Sequence, residues 1–333
     1  MKTLIIAEAG VNHNGDINLA KQLIDVAAEA GADLVKFQTF LADDLVTQSA
    51  PKADYQIDAT DKNESQLGML RKLELSEEMH CKLMAYSQAK QIEFFSTGFD
   101  LKSIDMLIRL GQNKFKIPSG EITNIPLLRF VGKQNKQVFI STGMSDMDEI
   151  AQALTILQEA GTPKEQITVL HCTSAYPAPY NEINLRAILS IKEYFGISVG
   201  YSDHSSGIEV AIAAASLGAC VIEKHFTLDK SLPGPDHKAS LDPKQLKEMI
   251  VAIRNIELAL GDGVKQLMPC EIDNQNVVRK YLIAKTAIKK DEVLSEINLT
   301  TKRTGYGISA SKWDQFIGKK SSRDYSVDEI IDL

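Results

Sequence analysis

Residues 197–225 read ISVGYSDHSSGIEVAIAAASLGACVIEKH. One apolar run ends in Ser202, Asp203 and His204, a helical stretch follows, and a second apolar run ends in Glu223, Lys224 and His225. Strand, helix, strand is the signature of parallel pairing, because a parallel crossover needs a dozen or more residues between its strands. Upstream the same event recurs in TLIIAE (ending at Glu8), ADLVKFQ (Lys36, Gln38) and IEFFST (Ser96, Thr97). It recurs again in KFKIPSGE (Lys116, Ser119, Glu121), QVFIST (Ser141, Thr142) and ITVLHC (His171). Eight such repeats within the first ~225 residues predict an α/β chain folded as a (β/α)8 TIM barrel, whose strand C-termini converge on one mouth.

The segments between the runs carry helix punctuation. Residues 17–30 place Leu19, Leu23, Val26 and Ala27 on one face and stop at Gly31, a natural C′ residue. Ser76, Asp100, Asp146 (or Ser145) and Asp242 stand where N-caps belong, and Pro243 occupies the first helical position after Asp242. Two segments on the mouth side are long, 41–74 and 226–241; long loops in compact domains usually serve function. In the second, Pro233, Gly234 and Pro235 stiffen the approach to Asp236 and His237.

Past residue 261 the pattern changes. Residues 262–278 read as a polar linker, and 279–333 as a small unit of short alternating strands that needs a packing partner for stability. The barrel is assigned to 1–261. Of the 333 residues, 44% are hydrophobic and 24% charged, an ordinary globular composition. A net charge of −7 offers no basic face for nucleic acid. The apolar start TLIIAEA is too short for a membrane span or a signal sequence. Four dispersed cysteines without CxxC spacing read as free thiols. Together these features predict a cytoplasmic protein with neither nucleic acid nor membrane as partner.

His204 and His225 end neighbouring strands and can share one cation while leaving positions open for water and substrate, which suits catalysis. With two imidazoles, a loosely held Mn²⁺ or Mg²⁺ is expected rather than a tight Zn²⁺ site, and Asp203 is a candidate further ligand. Equally, each histidine could simply bond within the loop layer. Lys36 and Lys116, with Thr97, Ser119 and Ser141, form a candidate receptor for a phosphate and a carboxylate. The alternatives are structural ion pairs with Glu8, Glu121 or Glu223, or a nucleophilic amine at Lys36, Lys116 or Lys224. Glu8 and Glu121 are candidate acids or bases. His13, in the turn-forming NHNG of residues 12–15, reads mainly as a structural group.

Seven motifs in order, IAEAGVNHNG, VKFQTF, IPSGE, ISTGM, GYSDHSSG, VIEKHFTLDK and GPDHKAS, resemble the N-acetylneuraminate (sialic acid) synthases and the related legionaminate synthases. The likeness runs through nearly the whole chain, including an antifreeze-like (SAF, β-clip) domain around KRTGYGIS. The resemblance implies condensation of phosphoenolpyruvate with an open-chain N-acyl mannosamine, N-acetylmannosamine being the first expectation and its 2,4-diacetamido-6-deoxy analogue the second. C3 of phosphoenolpyruvate attacks the aldehyde, water adds at C2, and phosphate leaves by C–O cleavage.

It further implies a divalent ion on His204 and His225, Mn²⁺ first and Mg²⁺ or Co²⁺ next. Lys36, Thr97, Lys116, Ser119 and Ser141 would hold phosphoenolpyruvate; Glu8, Gln38, Tyr176 and Asp236 the sugar; Glu121 the reacting carbons. Arg303 would reach the N-acyl group from a second chain, in a domain-swapped homodimer. This chain departs from the family at Gly98 and Thr304, where a proline is common, and at Ser174, where some members carry Asn. A metal-independent Schiff-base aldolase and a non-catalytic sugar-binding barrel are the competing readings.

Overall fold

A computed structural model describes residues 2–53, 56–57, 60–61 and 63–332. Thus residues 54, 55, 58, 59 and 62 of the long mouth segment lie outside the described residues. Two compact units divide at Gly261/Asp262.

The first unit is an eight-stranded, all-parallel sheet. Its strands are β1 (Leu4–Gly10), β2 (Leu34–Thr39), β3 (Glu93–Gly98), β4 (Lys114–Ile117), β5 (Gln137–Ser141), β6 (Ile167–Cys172), β7 (Ser198–Asp203) and β8 (Val221–His225). The hydrogen-bonded order is β3-β2-β1-β8-β7-β6-β5-β4, and the ends of that order, β3 and β4, pack side by side to close the ring. Gln112 stitches that seam. Its Oε1 accepts from the Ser96 amide at 2.9 Å, and its Nε2 donates to the carbonyls of Ser96 (2.9 Å) and Lys114 (3.0 Å). A side chain here satisfies backbone groups that a strand ladder satisfies elsewhere.

Helices alternate with the strands, as the caps in the sequence predict. Ile17–Ala30 ends at Gly31 with φ 86°. Ser76 caps Glu77–Ala89 and Asp100 caps Leu101–Arg109. Asp146 and Asp242 each close a capping box, over Met147–Ala160 and Pro243–Leu260. Between helices and strands lies the main core, with Leu23, Val35, Leu128, Ile188 and Ile253 buried in it. Among its described residues the 41–74 segment includes the short helices Ala42–Leu45 and Gln66–Arg71.

The second unit pairs β9 (Tyr281–Ala284) antiparallel with β10 (Leu299–Lys302) around a core that includes Leu282, Ile288, Leu294 and Tyr325. Residues 262–274 are exposed, and the helix Ile272–Val278 precedes β9. Among the described residues no helix is long and apolar enough to cross a membrane.

Candidate active site

Strand alternation builds the site. A β-strand turns every second side chain inward. Ile6, Leu34, Phe95, Phe139, Leu170 and Val221 form one apolar layer inside the barrel. Two residues further along the same strands, Glu8, Lys36, Thr97, Ser141, Cys172 and Glu223 line a cavity of about 380 Å³ at the mouth. The barrel is therefore plugged below and polar above, the arrangement that puts TIM-barrel chemistry at the strand C-termini.

On this floor lies a buried ionic row. Lys116 Nζ is 2.9 Å from Glu223 Oε1, and Lys36 Nζ is 3.2 Å from both Glu223 Oε2 and Glu8 Oε2. Ser202 Oγ donates to Glu223 Oε1 at 2.9 Å, and Lys36 Nζ donates to Thr97 Oγ1 at 2.9 Å. Burial pushes the Glu8 carboxyl up to about 7, against the pull of Lys36. Burial also works on Glu223, yet Lys116 and Lys36 hold its carboxyl well below the usual range. Burial lowers Lys116, with Glu223 opposing; for Lys36 the same penalty is outweighed by Glu223 and Glu8, so it is raised. Two ammonium groups thus share one firmly ionised carboxylate, which leaves a cationic floor when Glu8 carries its proton. An anion such as a phosphate fits that balance.

Ser119 and Ser141 join the rim of this floor, where Ser141 Oγ is buried without a hydrogen-bond partner. Ser119 Oγ accepts from the Gly143 amide at 3.0 Å, and a Cβ on Gly143 would lie 2.1 Å from Ser174 Oγ and 2.8 Å from Ser119 Oγ, so a side chain there would displace both hydroxyls.

The imidazoles occupy the β7–β8 side. The rings of His204 and His225 are 5.5 Å apart, and Tyr176 lies 4.2 Å from His204 and 6.0 Å from His225. His204 Nδ1 is engaged with the Thr173 carbonyl at 2.9 Å, leaving its Nε2 for other work. Buried His225 Nδ1 has no hydrogen-bond partner, and Asp236 Oδ2 stands 4.0 Å from it. Burial raises the Asp236 carboxyl to about 6, although His204 opposes this. An unpartnered imidazole nitrogen near a buried carboxyl is the kind of donor chemistry that suits a divalent cation. Among the described residues no group of three or more His, Cys, Asp or Glu side chains is placed to hold a metal ion. His204 and His225 are the two candidate donors on this side of the cavity.

Most of the predicted site residues therefore meet: Glu8, Lys36, Gln38, Thr97, Lys116, Ser119, Ser141, Tyr176, His204, His225 and Asp236 all line the one cavity. Glu121 is placed differently: its Oε2 accepts from Asn124 Nδ2 at 2.6 Å, one residue beyond the lining residue Gly120. Arg303 is exposed and belongs to the second unit.

Two readings require correction. Asp203 is not beside the histidines: it faces outward, where Lys224 Nζ lies 2.8 Å from Oδ2 and the Ser205 hydroxyl donates to Oδ1. Lys224, paired there and also donating to the Ser205 carbonyl, is equally unavailable as a Schiff-base amine. Both stand one residue off the inward-facing positions Ser202, His204, Glu223 and His225, so parity excludes them. His13 is a structural group; buried, its Nδ1 accepts from the Gly15 amide at 2.9 Å. The ion-pair and anion-receptor readings of the lysines are compatible, since the pairs themselves form the floor. The sequence offered Ser202 and Glu223 as strand-end residues, Glu223 as an ion-pair partner and 41–74 as a mouth segment; that one carboxylate serves both lysines, that Ser202 donates to it and that Cys172 lines the cavity are what the structure adds. Counting back by two from His225 and His204 would have singled out Glu223 and Ser202.

The chain is similar to known proteins along both of its units. Residues 23–265 match the NeuB family and residues 279–332 the SAF domain. The chain is 54% identical over 330 residues to the N,N'-diacetyllegionaminic acid synthase of Campylobacter jejuni, covering 99% of each chain. It is 45% identical to the protein of that name in Legionella pneumophila, over 98% of this chain and 92% of that one. The crystal structure of an N-acetylneuraminic acid synthetase from Leptospira borgpetersenii, in complex with citrate, superposes with TM-score 0.72 at 34% identity. That match covers 84% of this chain and 93% of the other. With both its barrel and its small C-terminal unit matched, the chain belongs to the NeuB family and is a transferase-type enzyme of the nonulosonic acid synthases.

Proposed function

We propose that the chain condenses phosphoenolpyruvate with 2,4-diacetamido-2,4,6-trideoxymannose, forming N,N'-diacetyllegionaminate and phosphate. The observation that carries the choice of sugar is the 54% identity, end to end, to a protein named for that product. It reverses the order of the two sugars expected from the sequence, which put N-acetylmannosamine first.

Lys36 and Lys116 take the phosphate and carboxylate of phosphoenolpyruvate, with Thr97, Ser119 and Ser141 donating hydroxyl hydrogen bonds. Glu223 keeps both lysines charged and spaced. Glu8, protonated near neutrality, and Gln38, which donates to Glu8 Oε1 at 3.3 Å, face the sugar with Tyr176 and Asp236. Glu121 turns to the reacting carbons by exchanging Asn124 for substrate. His204 and His225 would hold a divalent ion, Mn²⁺ in the first instance. When bound, that ion supplies Lewis-acid polarisation of the aldehyde. C3 of phosphoenolpyruvate bonds to the aldehyde carbon, whose oxygen takes up a proton. Water then adds at C2, and the C2–O bond breaks to release phosphate.

Arg303 of a second copy completes the sugar site at its N-acyl group, in a domain-swapped homodimer. A reducing, cytoplasmic setting suits the four free cysteines. Phosphate release from phosphoenolpyruvate with each sugar, with Mn²⁺ and with EDTA, tests the proposal. Metal-dependent release favouring the diacetamido sugar is expected; no release with either sugar in the presence of Mn²⁺ rejects it.

A further inference from the structure

Part of the cavity lining is apolar. It includes residues of the 41–74 segment, whose Met69 and Leu73 are buried with Val11 and Phe40 in a small apolar cluster. Leu45, Val46 and Leu70 are half-buried and line the cavity on that side. Among the described residues of the segment, only Gln56 and Gln66 add polar groups to the lining.

This wall is anchored. Glu74 Oε1 accepts from the Ala42 amide at 2.7 Å, and Asp100 Oδ2 accepts from the Leu41 amide at 3.0 Å. Lys102 pairs with Asp44 at 2.7 Å. At the other end, Gly15 (φ 75°) packs so tightly on the Lys72 carbonyl that a Cβ would lie 2.3 Å from its oxygen. A surface held from several sides keeps its shape and can select by shape and polarity.

The two sugars differ in what they present to such a surface. N-acetylmannosamine carries hydroxyls at C4 and C6. The diacetamido-trideoxy sugar carries an acetamido group at C4 and a methyl at C6. A hydroxyl pressed against an apolar wall forfeits its water bonds, whereas a methyl gains from burial. The reacting aldehyde belongs near the histidines and the lysine-bound phosphoenolpyruvate, so the far end of the sugar chain is the part left to meet the wall.

Resting on the proposed function, we infer that Leu45, Val46 and Leu70 form the specificity element of this enzyme, receiving the C6 methyl and the C4 acetamido methyl of a 6-deoxy sugar. Gln56 and Gln66 supply the polar contacts that the acetamido group still needs.

The test measures kcat/KM for both sugars, and KM for phosphoenolpyruvate, in the wild type and in Leu70→Gln and Val46→Thr. Wild type should favour the 6-deoxy sugar by about 10- to 200-fold, the span an apolar pocket provides for small groups. Each substitution should narrow that ratio by about ten-fold, mainly through the KM of the 6-deoxy sugar, with KM for phosphoenolpyruvate unmoved. Val46→Thr is close in shape to the native residue and guards against misfolding of the other variant. Turnover with an unchanged ratio in both variants overturns the inference alone, as does a parallel rise in KM for phosphoenolpyruvate. Absence of turnover with either sugar in the wild type removes the proposed function together with it, and a wild-type preference for N-acetylmannosamine overturns both the sugar assignment and the wall's role.

Discussion

Glu223 Oε1 lies 2.9 Å from Lys116 Nζ, a contact between β8 and β4 made inside the barrel by residues 107 apart in sequence. The same carboxylate reaches Lys36 on β2, so one anion spaces both cations of the floor. Breaking a buried pair by removing one partner costs roughly 3–5 kcal/mol. Glu223→Gln should therefore destabilise the barrel by about that much. It should also raise KM for phosphoenolpyruvate at least ten-fold and bring the alkaline fall of kcat/KM to lower pH, because Lys116, already lowered by burial, loses its counterion. An unaltered KM and pH profile would show that the lysines position themselves without it.

Glu8 sets a second, pH-linked expectation. Its folded-state pKa of about 7 exceeds the ordinary value of 4.5, so between these values the folded chain holds a proton that the unfolded chain has released. Stability consequently falls as pH rises through that window. Glu8→Gln keeps the neutral shape and removes the linkage. Its Tm relative to wild type should rise as pH rises from 4.5 to about 7, by several degrees. A difference that stays flat would place the Glu8 carboxyl at its ordinary value.

Metal dependence should follow the imidazoles. Dialysis against EDTA is expected to abolish phosphate release and added Mn²⁺ to restore it. In His225→Ala, calorimetric Mn²⁺ binding should weaken by at least ten-fold and kcat should fall by about 10²-fold or more. Full activity in EDTA, with borohydride trapping of the enzyme, would instead favour an amine at Lys36 or Lys116.

Arg303 is best tested by complementation. Lys116→Ala and Arg303→Ala should each be nearly inactive alone. If each site is shared between two chains, unfolding and refolding the two together yields heterodimers with one intact site, roughly a quarter of the wild-type activity. Sites complete within one chain would recover nothing.

Gly15→Ala tests how firmly the mouth segment is held. Positive φ and the close Lys72 carbonyl both oppose a side chain, so a loss of roughly 1–3 kcal/mol is expected. KM for the sugar should rise more than KM for phosphoenolpyruvate, since Gly15 packs on the Lys72 end of the mouth segment and not on the lysines of the floor. Equal changes in the two would make the segment a general scaffold.

The repeating order of strand and helix, the caps at Ser76, Asp100, Asp146 and Asp242, and the polar strand ends were all legible in the chain, because each depends on neighbours a few residues away. Asp203 and Lys224 show where that legibility stopped. Strands buried on both faces do not advertise which parity faces the barrel axis. Adjacent residues thus went to opposite environments: Ser202 and Glu223 to the cavity, Asp203 and Lys224 to an ion pair behind it.

The sequence by itself determined that eight strand ends share one mouth, and that lysines, hydroxyls and histidines collect there. Local periodicity and capping are enough for that. Only the tertiary structure decided which inward groups touch: that Glu223 serves two lysines, that Glu8 is buried into retaining a proton near neutrality, and that His225 keeps an unpartnered nitrogen beside Asp236. The lysine–glutamate relations arise from closing the sheet into a ring, which brings residues distant in sequence within 3.2 Å and removes the water that would have screened them, while the last is set by the loop that follows β8.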